Sequence, residues 1–288
     1  MQSRILLKTT IGPESDDWHV GRFSLLARHL ASLRQNGQPI YEVSARDRLA
    51  NDSGDDVDLE RLAAGHFDQL WLIAADAVGA LTPGDVENIA TFRARGGGVL
   101  LTRDHQDLGS SLTGLGPLGA TQYFQSINPD PDPSRRRCDD VETPTISWPN
   151  FHSGANGNAQ RIMVEPPQHR LVERSDGTSL EFLPAHPHEG AVGVPDALRL
   201  AARVVARGRS LTSGATFNLC VAVEEPSRGR AVADSSFHHF CDYNWDPRMG
   251  APSFVSEPAG DFMLQEPEAI LDTRRYVENI AAWLSGRI

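Results

Sequence analysis

A chain of 288 residues with 40% apolar side chains carries enough hydrophobic surface for a large core, which excludes a disordered chain. Its net charge of -11 excludes recognition built on neutralising phosphates, so no nucleic acid is expected as a partner. No apolar run approaches membrane-spanning length, and no membrane partner is expected either.

Strand and helix signals alternate through the first half. Ile5-Leu6-Leu7 suits a buried strand, followed by a polar loop from Thr9 to His19. Phe23, Leu26, Leu30 and Leu33 recur at helical spacing, with Gly37 as the stop. Tyr41-Glu42-Val43 reads as a weak second strand. A short helix around Leu59 to Ala64 leads into Asp68-Gln69-Leu70-Trp71-Leu72-Ile73, the clearest strand signal in the chain. Thr82-Pro83 starts a further helix, with Pro in its first turn and Asp85 placed for a capping interaction. Gly96-Gly97-Gly98 ends it, and Val99-Leu100-Leu101 is a fourth strand. This β-α-β-α-β-α-β order requires right-handed crossovers. It predicts an α/β, flavodoxin-like, doubly wound and mostly parallel sheet.

From about 113 to 195 the pattern gives way to Pro, Gly, Asn and Asp, and periodicity is poor. A structureless stretch of that length is uncommon unless it serves function. The run Arg135-Arg136-Arg137, leading into Asp139 and Asp140, reads as a solvated loop. Leu198 to Arg207, Phe217 to Val223 and Gly229 to Asp234 read as strands. Arg274 to Leu284 reads as a closing helix with Val277, Ile280, Ala281 and Leu284 on one face. The expectation is a single α/β domain over 1–288, its core at about 1–112 and 196–288 and its loop-rich insertion at about 113–195.

Cys138, Cys220 and Cys241 are widely spaced and form no CxxC, so neither a disulfide framework nor a thiolate zinc site is indicated. Together with an N-terminus, Met1-Gln2-Ser3-Arg4-Ile5, that lacks an apolar signal core, this points to the reducing cytoplasm.

In open parallel sheets, ligands bind beyond the carboxyl ends of the strands. That rule selects the loops carrying Asp16, Asp17 and His19, then Asp76, then Asp104-His105-Gln106-Asp107. Further clusters are Ser147 to Gly154 with His152, Pro184 to Gly190 with His186, His188 and Glu189, and Asp234 to Trp245 with His238, His239, Asp242 and Asn244. Of the ten histidines, six (His105, His152, His186, His188, His238 and His239) fall in four of these clusters. Pro187 forces His186 into extended backbone, and residues two apart in extended chain face one side. His186 and His188 can therefore meet one ion or one substrate, with Glu189 beside them as ligand or base. A zinc or iron site needs about three protein ligands and an open position. The metal set expected is His186, His188 and His238; the catalytic set is Asp104, His105, His152, Glu189, His238 and His239. Each residue has a plainer reading. Asp104 can cap a following helix, one of the adjacent His238 and His239 can serve packing, and the Gly/Asn-rich stretches are turn chemistry.

Phe67 to Ile73, the helix ending in Phe92-Arg93-Ala94-Arg95-Gly96-Gly97-Gly98, and Val99-Leu100-Leu101 resemble the class I glutamine amidotransferase-like superfamily. Within it the chain is most similar to the ThuA-like, trehalose-utilisation-type branch. Gly229-Arg230-Ala231-Val232 leading to Ser235-Ser236-Phe237-His238, then a last helix with Trp283, is similar to that branch's closing strand, histidine and helix. True amidotransferases carry a nucleophilic Cys in a Gly-x-Cys-x-Gly elbow; here Arg103-Asp104-His105 stands in its place. The resemblance therefore implies the fold and, faintly, carbohydrate-related chemistry, and not glutamine hydrolysis.

The leading expectation is a hydrolase or lyase for a small polar, sugar-like metabolite, with imidazole or carboxylate as base and a divalent zinc or iron ion as cofactor. One alternative sets Cys241 as a nucleophile beside His239 and Asp242. A second is a non-catalytic ligand-binding or interface protein on an inherited enzyme fold. The partner expected is a small molecule, and a homo-oligomer is compatible with the sequence.

Overall fold

The computed structural model describes residues 2–76, 79–140, 143 and 145–288; Met1 of the N-terminal run and three positions of the 113–195 segment lie outside them. The alternating apolar runs become strands β1 (Ser3–Thr9), β2 (Tyr41–Arg46), β3 (Gln69–Ile73) and β4 (Gly98–Thr102). Between them lie helices α1 (Ser24–Ser32), α2 (Val57–Ala63) and α3 (Pro83–Ala94). The second half adds β5 (Met163–Val164), β6 (Ala202–Arg209), β7 (Thr216–Val223), β8 (Ala231–Asp234) and the long helix α4 (Pro267–Leu284). All eight strands form one sheet in the order β2-β1-β3-β4-β8-β7-β6-β5.

From β2 to β8 every pairing is parallel, and these strands follow the flavodoxin-type order, with β8 in the place of that fold's fifth strand. Beyond β8 the sheet continues antiparallel through β7, β6 and β5. The predicted strand at 198–207 begins later, at Ala202, and pairs with β7 as a hairpin. An apolar strand pattern fits either direction of pairing. Direction is set by connection length, and the short link from β6 to β7 permits only an antiparallel pair.

Side-chain alternation explains the two cores. Ile5, Leu7, Trp71, Ile73, Leu100 and Val232 face α1 and α4, packing with Leu26, Leu30, Tyr276, Val277 and Ile280. Leu6, Leu70, Leu72, Val99, Leu101 and Ala233 face the opposite way, onto Leu59 and Leu62 of α2 and Ile89 and Phe92 of α3. Each fully buried aliphatic side chain contributes roughly 1.5–3 kcal/mol. Helix α3 opens with a complete capping box: the Thr82 hydroxyl accepts from the Asp85 amide at 3.1 Å, and the Asp85 carboxylate accepts from the Thr82 amide at 3.1 Å. Removing such a cap costs about 1 kcal/mol.

Two expectations are corrected. Helix α1 ends at Ser32, and Gly37 instead lies with Asn36 in the turn of a small hairpin, both residues at positive φ, as a tight two-residue turn requires. Asp139 and Asp140 are buried, so the acidic end of the 135–140 run is not a solvated loop.

Candidate active site

Strands β4 and β8 lie side by side with Thr102 opposite Asp234, so the chain leaves both at one edge of the sheet. Arg103-Asp104-His105 follows β4, and Ser235-Ser236-Phe237-His238-His239 follows β8. The Phe237 amide donates to the Arg103 carbonyl at 2.8 Å and locks the two turns together. The buried Arg103 guanidinium donates to the carbonyls of Asp104 and Gln106 and lies over the Phe124 ring, 4.1 Å from its centre. Gly190 crosses against these turns. A Cβ there would meet the Ser235 carbonyl and the Arg103 guanidinium, so the crossing requires glycine.

The irregular segment supplies the third wall. The His186 amide donates to Ser153 Oγ at 2.9 Å, and Asn244 Nδ2 donates to the Ala185 carbonyl at 2.7 Å, fixing the 184–190 stretch. One oxygen of Asp104 and one ring nitrogen each of His186 and His238 then lie within 4.8 Å of one another, all three residues buried. The two imidazoles stack with centroids 3.6 Å apart and planes 12° from parallel. His238 Nε2 stands 3.8 Å, and His105 Nε2 3.9 Å, from Asp104 Oδ2.

The Nδ1 atoms of the stacked rings are tied elsewhere. His238 Nδ1 lies 3.1 Å from Asn244 Oδ1, and His186 Nδ1 lies 3.3 Å from Ser236 Oγ. The Asn244 amide nitrogen is already committed to Asn156 Oδ1 and the Ala185 carbonyl, so its oxygen must face the ring. His238 therefore donates from Nδ1 and presents Nε2 toward Asp104. Burial opposes charge on His238, but the Asp104 carboxylate and Cys241 outweigh it and raise its pKa to about 10. Asp104 is held well below the usual carboxylate range: burial opposes this, but His105 and His238 prevail. His186 is pushed well below the usual imidazole value by burial and by neighbouring His238. Without an ion the trio is thus a carboxylate, an imidazolium and a neutral imidazole, and an ion bound there would have to displace the His238 Nε2 proton.

A cleft of about 140 Å³ opens onto these groups. Trp18, Ile146, Phe254 and Val255 form its apolar wall, and Asn156, Thr143, Ser256 and Glu257 its polar rim. The Trp18 ring meets His238 edge-on at 4.7 Å. His188 is turned between two carboxylates, Nδ1 at 3.1 Å from Asp140 Oδ2 and Nε2 at 3.2 Å from Glu257 Oε1. Its ring centroid is 5.4 Å from those of both His105 and His186. His152, partly exposed, stands behind with Nδ1 at 3.7 Å from Asp140 Oδ1. Asp104, His105, His186, His188 and His238 therefore share one cleft. The set that converges closely is Asp104, His186 and His238, with Asp104 where the sequence grouping had His188.

Glu189 and His239 go elsewhere. Both are fully buried, with His239 Nε2 at 3.2 Å from Glu189 Oε1 and His239 Nδ1 at 2.6 Å from Asp234 Oδ1. The Tyr276 hydroxyl donates to Asp234 Oδ2 at 2.7 Å, and Gln160, Ser153 and Ser235 donate to Glu189. Burial opposes the His239 charge, but the two carboxylates raise its pKa to about 10. None of Glu189, His239, Asp234 and Tyr276 lines the cleft described above.

Asp104 starts no helix: its Oδ1 accepts the His105 amide at 2.8 Å, and the next helical turn begins at Ser110. Cys241 is buried with Sγ at 3.0 Å from Asn244 Oδ1 and 3.9 Å from His238 Nδ1, while Asp242 accepts from Ser24 and Leu25 at the start of α1. The set Cys241, His239 and Asp242 does not assemble. Among the described residues of the early loops, Trp18 alone lines the cleft. Asp16 binds Ser253, and Asp76 accepts from Thr10 and Ser111. Asp140, Asn156, Ser236 and Glu257 were not among the site residues expected from the sequence, because each sits in turn-rich chain where a polar residue carries no periodic signal.

No protein-family model and no curated protein matches the chain. Among solved structures it is similar to the glutaminase domain of Trypanosoma brucei CTPS (14% identity, TM-score 0.48, covering 98% of this chain and 94% of that one). It is also similar to the mmIFT52 N-terminal domain (11% identity, TM-score 0.49, 98% and 97%). A third is SMU.1228c (12% identity, TM-score 0.47, 98% and 99%). Identities this low leave the chemistry to be read from this chain's own side chains. Among the described residues no helix is long and apolar enough to cross a membrane.

Proposed function

We propose that this chain is a hydrolase or lyase for a small polar, sugar-like metabolite, working in the Asp104 cleft with a divalent zinc or iron ion held by Asp104, His186 and His238. The supporting observation is the convergence of one carboxylate oxygen and two ring nitrogens within 4.8 Å, with a protein group bonded to Nδ1 of each imidazole. A carboxylate and two histidines with their other nitrogens bonded to protein groups are the donor set and outer support that such ions take. Tetrahedral ligands at about 2.1 Å from one ion stand about 3.4 Å apart, against 3.8 Å between His238 Nε2 and Asp104 Oδ2, so loading would draw that pair together by about 0.4 Å. An ion there would supply Lewis acidity.

The remaining roles belong to the chain. Asn244 and Ser236 hold the two imidazoles in line, and Trp18 packs against the edge of His238. His105 and His188, at the margin of the trio, are the groups that would carry protons to and from a substrate. Glu257 is placed to accept a hydrogen bond at the rim. With Asp104 rather than a thiol after β4, glutamine hydrolysis is not part of this reading, in keeping with a ThuA-like relationship. The sugar-like substrate follows from that resemblance alone.

Elemental analysis of the purified protein, with calorimetric zinc titration of wild type, Asp104→Asn and His186→Ala, tests the reading. One ion per chain is expected, bound about 100-fold more weakly by either variant. A wild type that takes up no divalent ion, or variants that bind as wild type does, would overturn it. Mass spectrometry of a metabolite extract incubated with wild type and with His186→Ala then identifies what is consumed.

A further inference from the structure

The chemistry and the space lie apart in this molecule. The Asp104 cleft offers about 140 Å³, whereas a separate cavity of about 490 Å³ lies where the irregular segment crosses the β6–β7 hairpin. The larger volume falls within the usual range of small-molecule sites, roughly 300–1,000 Å³. Its floor is apolar: Phe151 and Phe217 stack with ring centroids 4.8 Å apart and 12° from parallel, beside buried Tyr123 and Val192.

Its polar lining is cationic in a chain whose net charge is -11. Arg135, Arg137 and Arg207 line it against a single carboxylate, Asp130. Arg135 is held by Asp130 at 2.8 Å, and Arg207 by Glu165 at 2.9 Å. Arg137 has no ion-pair partner among the described residues and so presents its guanidinium fork uncommitted at the cavity. A planar fork of N–H donors matches the oxygens of a carboxylate, phosphate or sulfonate, and an aromatic floor matches a flat apolar body.

We propose that this cavity is a second binding site, distinct from the Asp104 cleft, for a small organic anion with an aromatic or otherwise apolar body, gripped through Arg137. The inference is independent of the metal reading, because none of the cavity's lining residues belongs to the Asp104, His186 and His238 trio.

The probe is 8-anilino-1-naphthalenesulfonate, which pairs an aromatic body with one sulfonate, compared with N-phenyl-1-naphthylamine, which lacks the charge. Fluorescence titration of the full chain should give one saturable site for the sulfonate. Arg137→Ala should weaken the sulfonate about tenfold, the scale of losing one charge-assisted pair, and leave the neutral dye unchanged. Thr216→Trp, which fills the mouth of the cavity, should abolish binding of both. Arg137 and Thr216 are both exposed, so neither substitution disturbs the core. Equal sulfonate affinity in wild type and Arg137→Ala, or undiminished binding by Thr216→Trp, would overturn the proposal. Release of the dye by EDTA would assign it to the Asp104 cleft instead and overturn it equally.

Discussion

Two polar clusters lie side by side in this fold, built from the same residue types and even from neighbouring positions. His188 and Glu189, and again His238 and His239, are adjacent in the chain, yet one of each pair faces the cleft and the other enters a closed network. In the network of Glu189, His239, Asp234 and Tyr276, the hydrogen bonds of the central imidazole are used up within the protein. In the cleft, the protein ties His186 and His238 through Nδ1, His238 Nε2 stands 3.8 Å from Asp104, and one ligand-capable atom of each of the three residues falls within 4.8 Å of the others. Histidines and carboxylates in proximity therefore do not distinguish a site from a strut. The distinction is whether the protein has left ligand-capable atoms facing one another with space beside them.

The comparison breaks most visibly on the closed side. His239→Ala leaves the Asp234 and Glu189 carboxylates buried without their shared cation, and a loss of about 3–5 kcal/mol is expected from urea unfolding. Removing the cleft histidine should do the opposite kind of damage. His186→Ala removes a buried but neutral ring that lines the cleft and leaves no buried charge without its partner, so a smaller loss of about 1–2 kcal/mol is expected in the metal-free protein, while zinc affinity falls about 100-fold. The outer support sharpens the contrast further. Asn244→Ala frees the His238 ring, and a drop in zinc affinity of about tenfold is expected by calorimetry, in the range found when groups behind a ligand are removed. An unfolding loss for His186→Ala as large as that for His239→Ala would erase the distinction between the clusters.

A histidine outside both clusters gives the smallest effect and a baseline for acid titrations. His169 is pushed down to about 4, first by burial and then by Arg203, and its Nδ1 accepts the Leu171 amide at 3.2 Å, which only an unprotonated nitrogen can do. Its folded pKa lies below the unfolded value of about 6.5, so the unfolded chain takes the proton first. Stability from this residue is present above about pH 6.5 and lost as pH falls toward 4. Partial exposure discounts the loss to about 1 kcal/mol. His169→Asn, which keeps a capping acceptor without the titration, should flatten unfolding stability over that window.

The parallel half of the sheet was legible because each of its elements carries its own local instruction. Thr82-Pro83 with Asp85 writes a helix start, and Leu70-Trp71-Leu72-Ile73 can only be a buried strand. The antiparallel half was legible as strands and not as a pairing. The last helix was recognised from Arg274, though it begins at Pro267, because Asp272 and Thr273 interrupt the apolar stripe and are buried by tertiary contacts instead. Within the site, clustering of histidines with acids was visible in the sequence. The division into cleft and network was not, because His238 and His239 differ only in which side of one turn they leave. Asp140 was hidden for a related reason: a basic run and two acids look solvated until the chain folds over them.

The insertion of β8 between β4 and β7 has a consequence for how the protein comes into being. Asp104 is synthesised long before His238, and the strand that brings them together is among the last to emerge from the ribosome. A nascent chain that has completed its first four strands still exposes the edge of β4 and possesses one donor of three. On the proposed metal reading, ion capture would be deferred until the C-terminal quarter has threaded into the sheet. Pulse-labelled, truncated translation products should accordingly retain no zinc until residues past His238 have cleared the exit tunnel.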